Sequence, residues 1–471
     1  MSKRRFVVSL SFVVVVLAGS ALSPRPSGAD GSASLWVDGS NAACSDGYSR
    51  DQAASPDSPW CSIARAAAAA QSGDTVRIKP GRYVGSVRPA ASGTVFVAEG
   101  DGVVVDAAGA SAAVKLASVS DVTLRGLTVT GAAAQGIWAS GVQRVTLDGL
   151  TVNGNGGHGI QVLNSTEVTV GNSTISGNGG AGIFEGNGSS GCAYVSNGIT
   201  GNGKSGDPYN GDGIQLGGAG GYIAGNTVRD NGDGPYEHGV YTGPSARDFL
   251  IEGNVLGDNA GSNIKAAGAN GTIRYNRLEQ GRLGIVFSDN PAPVVAYYNL
   301  VFGKYQHGVF VTTGNTPAQA RLWNNTIVVT ARNATSGDAS AVFVKAAALL
   351  DMRNNVVSYA NADNFGSAVD VPDARQVTVF TSDHNWLSSM QPRGRHVVWD
   401  GARMTVASWT KATGQDGASV ASTPPQLDAG AHVVSANLGR SRGQSLGLTR
   451  DYIGTAVPSG GAPDIGAYQT P

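Results

Sequence analysis

The 471-residue sequence is poor in charged residues and has no cluster of one charge sign. Aspartate, glutamate, lysine and arginine make up 14% of the chain, against about 25% in typical globular proteins. The net charge is −1 and the basic residues are scattered, so the chain lacks the basic face that duplex nucleic acid requires. We therefore expect no nucleic-acid partner. The 41% of hydrophobic residues is enough for a large core and excludes an intrinsically disordered chain.

Long hydrophobic runs are also absent, except at the N-terminus. A basic start at residues 3–5 precedes an apolar run at residues 6–17, and small residues follow. This run is too short for a membrane span, and the pattern predicts a signal peptide over residues 1–29, cleaved near Ala21 or Ala29. We therefore expect a secreted, extracellular protein, without a membrane partner and monomeric.

Cysteine is scarce, with three residues in the chain. In an exported protein Cys44 and Cys61 are placed to form a disulfide. Cys192 is left over, and no base is arranged around it in the sequence. We expect it to be a buried small side chain and not a nucleophile.

Glycine, in contrast, is abundant, with 68 residues. From about Val103 to Leu387 one phrase recurs, in which a small residue precedes an apolar residue, any residue and another apolar residue. The phrase recurs at intervals of 21 to 31 residues, beginning at Gly136, Gly159, Gly182, Gly213, Gly239, Asn263, Gly284 and Gly308. A period of this length is typical of solenoids. The short β-branched segments with Gly and Asn between them predict strands joined by sharp bends.

A second phrase follows the same period, with an asparagine before each short apolar run. These residues are Asn172, Asn197, Asn226, Asn254, Asn276, Asn299, Asn325, Asn355 and Asn385. We expect them at one bend of each coil, where left-handed backbone is tolerated and side-chain amides form a ladder between coils. Each coil would hold about three strands, paired in parallel with copies about 4.8 Å along the axis. The sequence thus predicts an all-β parallel solenoid of roughly eleven coils.

The ends of a solenoid must be covered. Residues 62–71 predict a short helix with Ser62 as its N-cap, which would cover the N-terminal end. We assign residues 30–102 to the N-terminal cap and first coils and residues 103–387 to the repeats. Residues 388–471, where the period is lost, are expected to form irregular terminal coils and a C-terminal cap.

The repeat, the opening segment from Trp36 to Tyr83 and the closing phrase at residues 464–468 together resemble the secreted right-handed parallel β-helix proteins of bacteria. This pectin lyase-like group includes pectate lyases, polygalacturonases, alginate and chondroitin lyases, and mannuronan epimerases. The resemblance covers nearly all of the mature chain. It implies a single-stranded right-handed β-helix that acts on a polysaccharide, but it does not select one activity.

Successive side chains of a strand point to opposite faces, so the residue after the inward apolar position of each phrase should face outwards. This predicted column reads Trp138, Gln161, Phe184, Gln215, Tyr241, Lys265, Val286 and Phe310. A row of aromatic and amide side chains is unusual on a protein surface and suits a groove for a linear polysaccharide. We predict that its substrate-binding members are Trp138, Gln161, Phe184, Gln215 and Phe310. The alternative is that loops cover the face and the column is ordinary buried packing.

The longest interval and the turn after it contain the carboxylates Asp207, Asp212, Asp230, Asp233 and Glu237. Carboxylate oxygens are the ligands that Ca²⁺ prefers, and Asp230, Asp233 and Glu237 are the leading candidates. No established metal-binding spacing is present. Calcium is therefore the one cofactor that the sequence suggests, and a solvated acidic turn is the alternative.

Three histidines share the phrase His-Gly-apolar, at His158, His238 and His307. A residue that recurs at one turn position is more often structural than catalytic. Only His238 has Tyr241 and Lys265 on its own or the next coil, so it alone is a catalytic candidate.

Lys265 is the sharpest catalytic candidate. Removal of the C5 proton of a uronate needs a base and a positive charge that neutralises the carboxylate, and a lysine with a lowered pKa can be that base. The strand around Lys265 is similar to the lysine-bearing strand of the alginate and chondroitin B lyase family. That resemblance implies Lys265 as the base, with an arginine about one coil later, for which Arg282 is the nearest candidate.

We therefore predict that the protein cleaves an anionic, uronate-containing glycan by β-elimination. In this mechanism Tyr241 or His238 assists proton transfer to the leaving group, and Arg282 neutralises the carboxylate. The alternatives are a glycoside hydrolase or C5-epimerase that uses the same groove, and a non-catalytic carbohydrate-binding or surface β-helix. For Lys265 itself, the alternative is a solvated lysine on the surface of the coil.

Overall fold

The computed structural model describes residues 32–204, 206, 210–331, 339–361, 366–428, 430–433 and 438–470. The predicted signal peptide and Asp207 lie outside these residues. Within them, the strands form three sheets of 14, 14 and 13 strands. Consecutive coils add one strand to each sheet in turn, giving an all-β right-handed parallel solenoid of about 12 turns. The predicted fold class is confirmed.

Sheet 1 contains the first strand of each coil. Its strands, in chain order and in spatial order, are Ser34–Val37, Thr75–Ile78, Val95–Ala98, Thr123–Arg125, Thr146–Asp148, Thr169–Gly171, Ala193–Val195, Tyr222–Ala224, Leu250–Glu252, Thr272–Arg274, Val294–Tyr297, Ala318–Trp323, Ala347–Arg353 and Phe380–Asp383.

Sheet 2 contains the second strand of each coil. Its strands are Gly81–Val84, Val103–Asp106, Thr128–Thr130, Thr151–Asn153, Thr174–Ser176, Gly198–Thr200, Thr227–Arg229, Val255–Gly257, Arg277–Glu279, Leu300–Lys304, Thr326–Ala331, Val356–Tyr359, Trp386–Ser389 and Val420–Ser422.

Sheet 3 carries the predicted outward column. Its strands are Ala112–Ala117, Gln135–Ser140, Ile160–Leu163, Ile183–Glu185, Ile214–Leu216, Val240–Thr242, Ser262–Ala266, Leu283–Phe287, His307–Val311, Ser340–Val344, Ser367–Val371, Val397–Trp399 and Ala402–Met404. The last strand pairs antiparallel with the one before it.

The alternation of side chains sets the inside and outside of each sheet. In the strand Ile160–Leu163, Ile160 and Val162 are buried while Gln161 is half-buried on the outer face. Ile160 pairs in register with Ile183 on the next coil. Apolar side chains therefore stack on like neighbours through the interior, and this stacking makes the core continuous along the axis.

The predicted asparagine ladder is present from Asn197 to Asn385. Along it each side-chain amide donates to the side-chain oxygen of the next ladder asparagine at 2.9 to 3.1 Å. Asn172 was wrongly included, because Ser173 occupies the ladder position and donates its N–H to Asn197 at 3.0 Å. The left-handed residue is also not the ladder asparagine but the residue before it, such as Tyr275 (φ 56°) before Asn276.

A second ladder, which the sequence analysis missed, runs between sheets 2 and 3. Its members are Asn155, Asn178, Asn202, Asn231 and Asn259, whose amides donate to the next side-chain oxygen at 2.9 to 3.0 Å. Four of the five precede a glycine in the sequence, a recurrence that could have revealed this ladder. The two ladders fix the coil-to-coil register on two corners of the solenoid.

The N-terminal end is closed as predicted. Helix Ile63–Ala69 begins at Ser62, whose side chain accepts the Arg65 N–H, and it buries Ile63 against the core. It ends two residues earlier than predicted. Cys44 and Cys61 form the expected disulfide, with Cα atoms 5.0 Å apart.

The remaining helices are short. They are Val406–Thr413 and the 3-10 segments Gln52–Ala54, Ala374–Gln376 and Pro392–Gly394. Within the described residues no helix is long and apolar enough to cross a membrane. Cys192 is buried, as expected for a small core side chain.

Residues after the last coil return along the flank of the solenoid. The Tyr275 hydroxyl donates to the Arg450 carbonyl, and the Asn324 amide donates to the Asp464 carbonyl. The Ala467 N–H donates to Thr326. This segment therefore covers the corner between sheets 1 and 2 and leaves the outer face of sheet 3 to the column.

Candidate functional site

Strand pairing brings the predicted column together on the outer face of sheet 3. Each member pairs with the next across adjacent strands, in the order Trp138, Gln161, Phe184, Gln215, Tyr241, Lys265, Val286 and Phe310. The column also extends to Lys115 at one end and to Phe343 and Asp370 at the other. The sequence analysis missed these three residues, although each follows the same phrase, which begins there with Ala113, Ala341 and Ala368.

The column is surface and not core. All eight predicted members are half-buried except Val286, which is 5% exposed. The turns beside the column are built largely from glycine and alanine, for example Gly179-Gly180-Ala181 before Phe184 and Gly217-Gly218 after Gln215. Histidine rings also contact the column, since His158 stacks on Phe184 with ring centroids 4.7 Å apart and His238 lies 5.7 Å from Tyr241.

Lys265 and Tyr241 form the centre of the candidate site. The Lys265 ammonium lies 5.2 Å from the centroid of the Tyr241 ring, within the range of a cation–π contact. Burial lowers the pKa of Lys265, and the carboxyl groups of Asp289 and Asp212 oppose that shift. A lysine in this setting releases its proton more readily than a solvated one.

Tyr241 has the opposite tendency. Burial, with the charges of Asp212 and Asp289, raises the pKa of its hydroxyl. Tyr241 therefore remains protonated at neutral pH, so a proton donor lies beside a lysine with a lowered pKa. This pairing can supply both an acid and a base.

Asp212 lies beneath this pair and is 3% exposed. Its side chain accepts the His238 N–H at 2.6 Å. Burial raises the pKa of Asp212 to about 8, with the Glu237 charge adding to the shift, while the His238 N–H and Lys265 oppose it. At neutral pH Asp212 is therefore mostly a neutral carboxylic acid.

His238 is tied into the coil-to-coil hydrogen bonding. Its Nδ1 accepts the Ser262 N–H at 3.1 Å and lies 2.8 Å from the Ser262 hydroxyl. Burial, with the charges of Lys265 and Arg282, lowers the pKa of His238 to about 3. Because Nδ1 is an acceptor, the neutral ring carries its proton on Nε2. At neutral pH His238 is therefore a weak base that can donate a hydrogen bond from Nε2 but has no acidic proton to give to a leaving group.

The other two histidines repeat this structural role. His158 Nδ1 accepts the Ala181 N–H at 3.0 Å, and His307 Nδ1 lies 3.1 Å from the Ser340 hydroxyl. Burial lowers their pKa values to about 4 and about 3. At these three positions the recurring histidine therefore links its own coil to the next, a structural role of the kind that its recurrence indicated.

Arg282 lies at the edge of the site. It is exposed and directly precedes the strand Leu283–Phe287, whose Val286 pairs with Lys265. Its charge helps to lower the pKa of both His238 and His307. Arg282, which we predicted to neutralise the substrate carboxylate, therefore lies one coil after Lys265, just before the start of the strand.

Asp289 is the site residue that the sequence analysis missed. Its Oδ1 accepts the backbone N–H groups of Gly314 at 3.0 Å and Thr316 at 2.9 Å, and also that of Asn315. These hydrogen bonds and the Lys265 charge, acting against burial, lower the pKa of Asp289, so it is ionised. It follows its strand by two residues and contacts a turn one coil later, so no local motif marked it.

The three leading calcium candidates do not converge. Asp230 pairs with Lys204 at 3.3 Å, and Asp233 accepts the Gly206 N–H at 2.9 Å. Glu237 accepts the N–H groups of Asp233 and Gly234, both at 2.6 Å. Across the described part of the chain no three His, Cys, Asp or Glu side chains are grouped to hold a metal ion. In the described part of this turn, these carboxylates therefore pair with Lys204 or accept backbone N–H groups and do not share one cation site.

Two segments of the sequence match the family model of the right-handed β-helix region, residues 92–215 and residues 207–327. Together they span half of the chain. No curated protein sequence matches the chain significantly.

Several solved structures are similar to this chain at low sequence identity. A lacto-N-biosidase from Eubacterium ramulus is 12% identical with a TM-score of 0.47, covering 68% of this chain and 67% of its own. A pectate lyase is 16% identical with a TM-score of 0.41, covering 94% and 98%. A surface adhesin of Streptococcus pneumoniae is 12% identical with a TM-score of 0.40, covering 63% and 84%. At this level of similarity the likeness does not bear on activity.

Proposed function

The chain belongs to the right-handed β-helix family, and we propose that it binds a linear polysaccharide along the outer face of sheet 3 and cleaves it. The proposed substrate is a uronate-containing glycan, and the proposed reaction is β-elimination. The single observation that carries this proposal is the Lys265 ammonium over the Tyr241 ring, inside a half-buried column of aromatic and amide side chains.

In the proposed reaction the neutral amine of Lys265 removes the C5 proton of the uronate. The electron pair left at C5 forms the C4–C5 double bond as the C4–O4 bond breaks. The Tyr241 hydroxyl gives its proton to the departing oxygen. Arg282 neutralises the uronate carboxylate, which favours the enolate-like intermediate. The directions of the Lys265 and Tyr241 pKa shifts support these roles, because the base loses its proton easily and the acid keeps its own.

The test is to incubate the purified protein with alginate, pectate, chondroitin and glucuronan, with and without added Ca²⁺. The expected product is a 4,5-unsaturated sugar, followed by its absorbance near 235 nm. Lys265→Ala and Tyr241→Phe are each expected to lower kcat by at least 100-fold, the lower range for loss of a general acid or base. If none of the four substrates gives the unsaturated product, the lyase proposal is wrong.

Lys79 provides a matched control, since its ammonium lies 5.0 Å from the Trp36 ring on sheet 1. Lys79→Ala removes the same kind of lysine–aromatic contact from a different face of the solenoid. Its activity should equal that of the unaltered protein. If Lys265→Ala retains full activity, the assignment of the base is refuted while the glycan-binding face still stands.

A second candidate reaction uses the same face. Asp212, kept protonated by burial, is a carboxylic acid next to Tyr241 and Lys265, and this favours a glycoside hydrolase or a C5-epimerase as the alternative. New reducing ends without unsaturation would indicate hydrolysis, and inverted C5 stereochemistry by NMR would indicate epimerisation. Binding without any turnover would instead identify a non-catalytic carbohydrate-binding protein.

The predicted signal peptide at residues 1–29 supports a place outside the cell for this activity. The mature protein is expected in the culture medium, with an N-terminus just after Ala21 or Ala29. N-terminal sequencing of the medium fraction tests this. Retention of the full-length chain inside the cells would refute it.

A further inference from the structure

Seven consecutive strands of sheet 3 carry a strictly alternating outward column. In coil order the residues are Lys115, Trp138, Gln161, Phe184, Gln215, Tyr241 and Lys265. Polar side chains occupy every odd position and aromatic rings every even position, and all seven side chains are half-buried. Past Lys265 the alternation stops, because the next residues are the buried Val286 and then Phe310 and Phe343.

The spacing of this pattern suits a glycan with a two-sugar repeat. Successive coils lie about 4.8 Å apart, which is close to the length of one sugar in an extended chain. Two coils therefore correspond to two sugars. A ring below every second sugar can stack on its apolar face, and an amide or ammonium below the others can hydrogen-bond with their polar groups.

Few of the column residues are charged. Lysines stand only at the two ends, Lys115 and Lys265, and the five positions between them are uncharged. A polymer made only of uronates would place carboxylates over the rings of Trp138, Phe184 and Tyr241. Partial desolvation of a carboxylate without a cation or donor is unfavourable, so this arrangement disfavours such a polymer.

We infer that the glycan recognised by this face is an alternating polysaccharide, in which each uronate is followed by an uncharged sugar. The uncharged sugars lie over Trp138, Phe184 and Tyr241. The uronates lie over the polar positions and reach the reactive centre at Lys265. This inference rests on the proposed function for its binding face, and it adds the repeat of the substrate.

The first test measures binding without turnover. Tyr241→Phe keeps the ring and removes the hydroxyl that the proposed reaction needs. Its affinity is measured by titration calorimetry for octasaccharides of hyaluronan, chondroitin and heparosan, which alternate, and of galacturonate and mannuronate, which do not. At least one alternating octasaccharide should bind tenfold or more tightly than both homopolymers. Equal or tighter binding of a homopolymer, or no binding of any probe, overturns the inference.

The second test disrupts the alternation of polar and aromatic side chains in the column. Phe184→Lys places a cation where the pattern has a ring, so it should weaken binding of the alternating octasaccharide about tenfold and strengthen binding of oligogalacturonate. Trp36→Ala, which removes an aromatic side chain from sheet 1, is the matched control and should change neither affinity. Circular dichroism of each variant checks that the solenoid is intact. Unchanged preference in Phe184→Lys overturns the inference.

These outcomes separate the two proposals. Tight binding of an alternating octasaccharide to Tyr241→Phe, without product from the unaltered protein, would refute the lyase and keep the inference. Unsaturated product from pectate or alginate, with tight binding of their oligosaccharides, would keep the lyase and refute the inference.

Discussion

Removal of the Asp289 charge offers the sharpest test of the electrostatics around Lys265. The substitution is Asp289→Asn. All three backbone N–H groups of the turn at residues 314–316 bind the same oxygen, Oδ1. An asparagine keeps an Oδ1 acceptor at that place, so the turn can retain its hydrogen bonds while the negative charge disappears.

The sign of the effect follows from the structure. The Asp289 carboxylate favours the charged form of Lys265 and opposes the effect of burial. Without it, the pKa of Lys265 should fall. A neighbouring opposite charge shifts a pKa by about 1 to 3 units. Asp289 is partly exposed to solvent, so we expect the weak end of that range, because water screens the charge.

This pKa can be measured before any substrate is known. The rate at which acetic anhydride acetylates Lys265 is followed across a pH series by peptide mass spectrometry, because only the neutral amine reacts. In Asp289→Asn the curve should move to lower pH, so that the reaction well below the pKa is about tenfold faster than in the unaltered protein. With an active substrate, the acidic limb of kcat/KM should move in the same direction.

The control is Asp121→Asn, which removes a carboxylate that pairs with Arg144 in a turn outside the site. Its Lys265 curve should match that of the unaltered protein. The difference caused by Asp289→Asn should also shrink at high ionic strength, where charges are screened. Coincident curves for Asp289→Asn and the unaltered protein would refute this description of the site.

Three further predictions concern stability and protonation. Asn276→Ala removes five hydrogen bonds of the ladder. In denaturant titrations it should lower the free energy of unfolding by about 3–6 kcal/mol. The control Asn172→Gly, which lies outside the ladder, should change that free energy by less than about 1 kcal/mol. Replacing Cys44 and Cys61 by alanine should cost about 3 kcal/mol, and an unchanged midpoint would contradict a formed disulfide. In ¹⁵N NMR spectra, His238 should stay neutral from pH 8 to pH 4.5, with its proton on Nε2. Its pKa is lower in the folded protein than in the unfolded chain, so the free energy of unfolding should decrease as the pH falls below 6.5.

The recurring phrase of sheet 3 was enough to predict which residues of neighbouring coils lie side by side. The recurring phrase placed Tyr241 beside Lys265 across 24 residues, and strand pairing confirms that register. The asparagine period predicted a ladder for the same reason. When the repeat length is known, the residue that pairs with a given residue on the next coil can be found by counting along the sequence.

Some local details could not be counted in this way. The left-handed residue of each bend stands one place before the ladder asparagine, as Ser196 does before Asn197. The strand ends there, and the asparagine must keep its side chain inward to reach the next coil. Which residue of the bend has left-handed backbone depends on hydrogen bonds to a neighbouring coil, so the residue types alone did not indicate it.

By itself, the sequence determined the solenoid, its register, the disulfide and the outward column, because periodicity and alternation are local properties of the chain. Only the tertiary structure decided the charge environment of Lys265. Asp212 and Asp289 approach it from different coils. Burial keeps the Asp212 carboxyl protonated, whereas the backbone N–H groups of residues 314–316 and the Lys265 charge keep Asp289 ionised against the effect of burial. A pKa depends on the solvent and charges that surround a group in space, and these are set only once the coils have stacked.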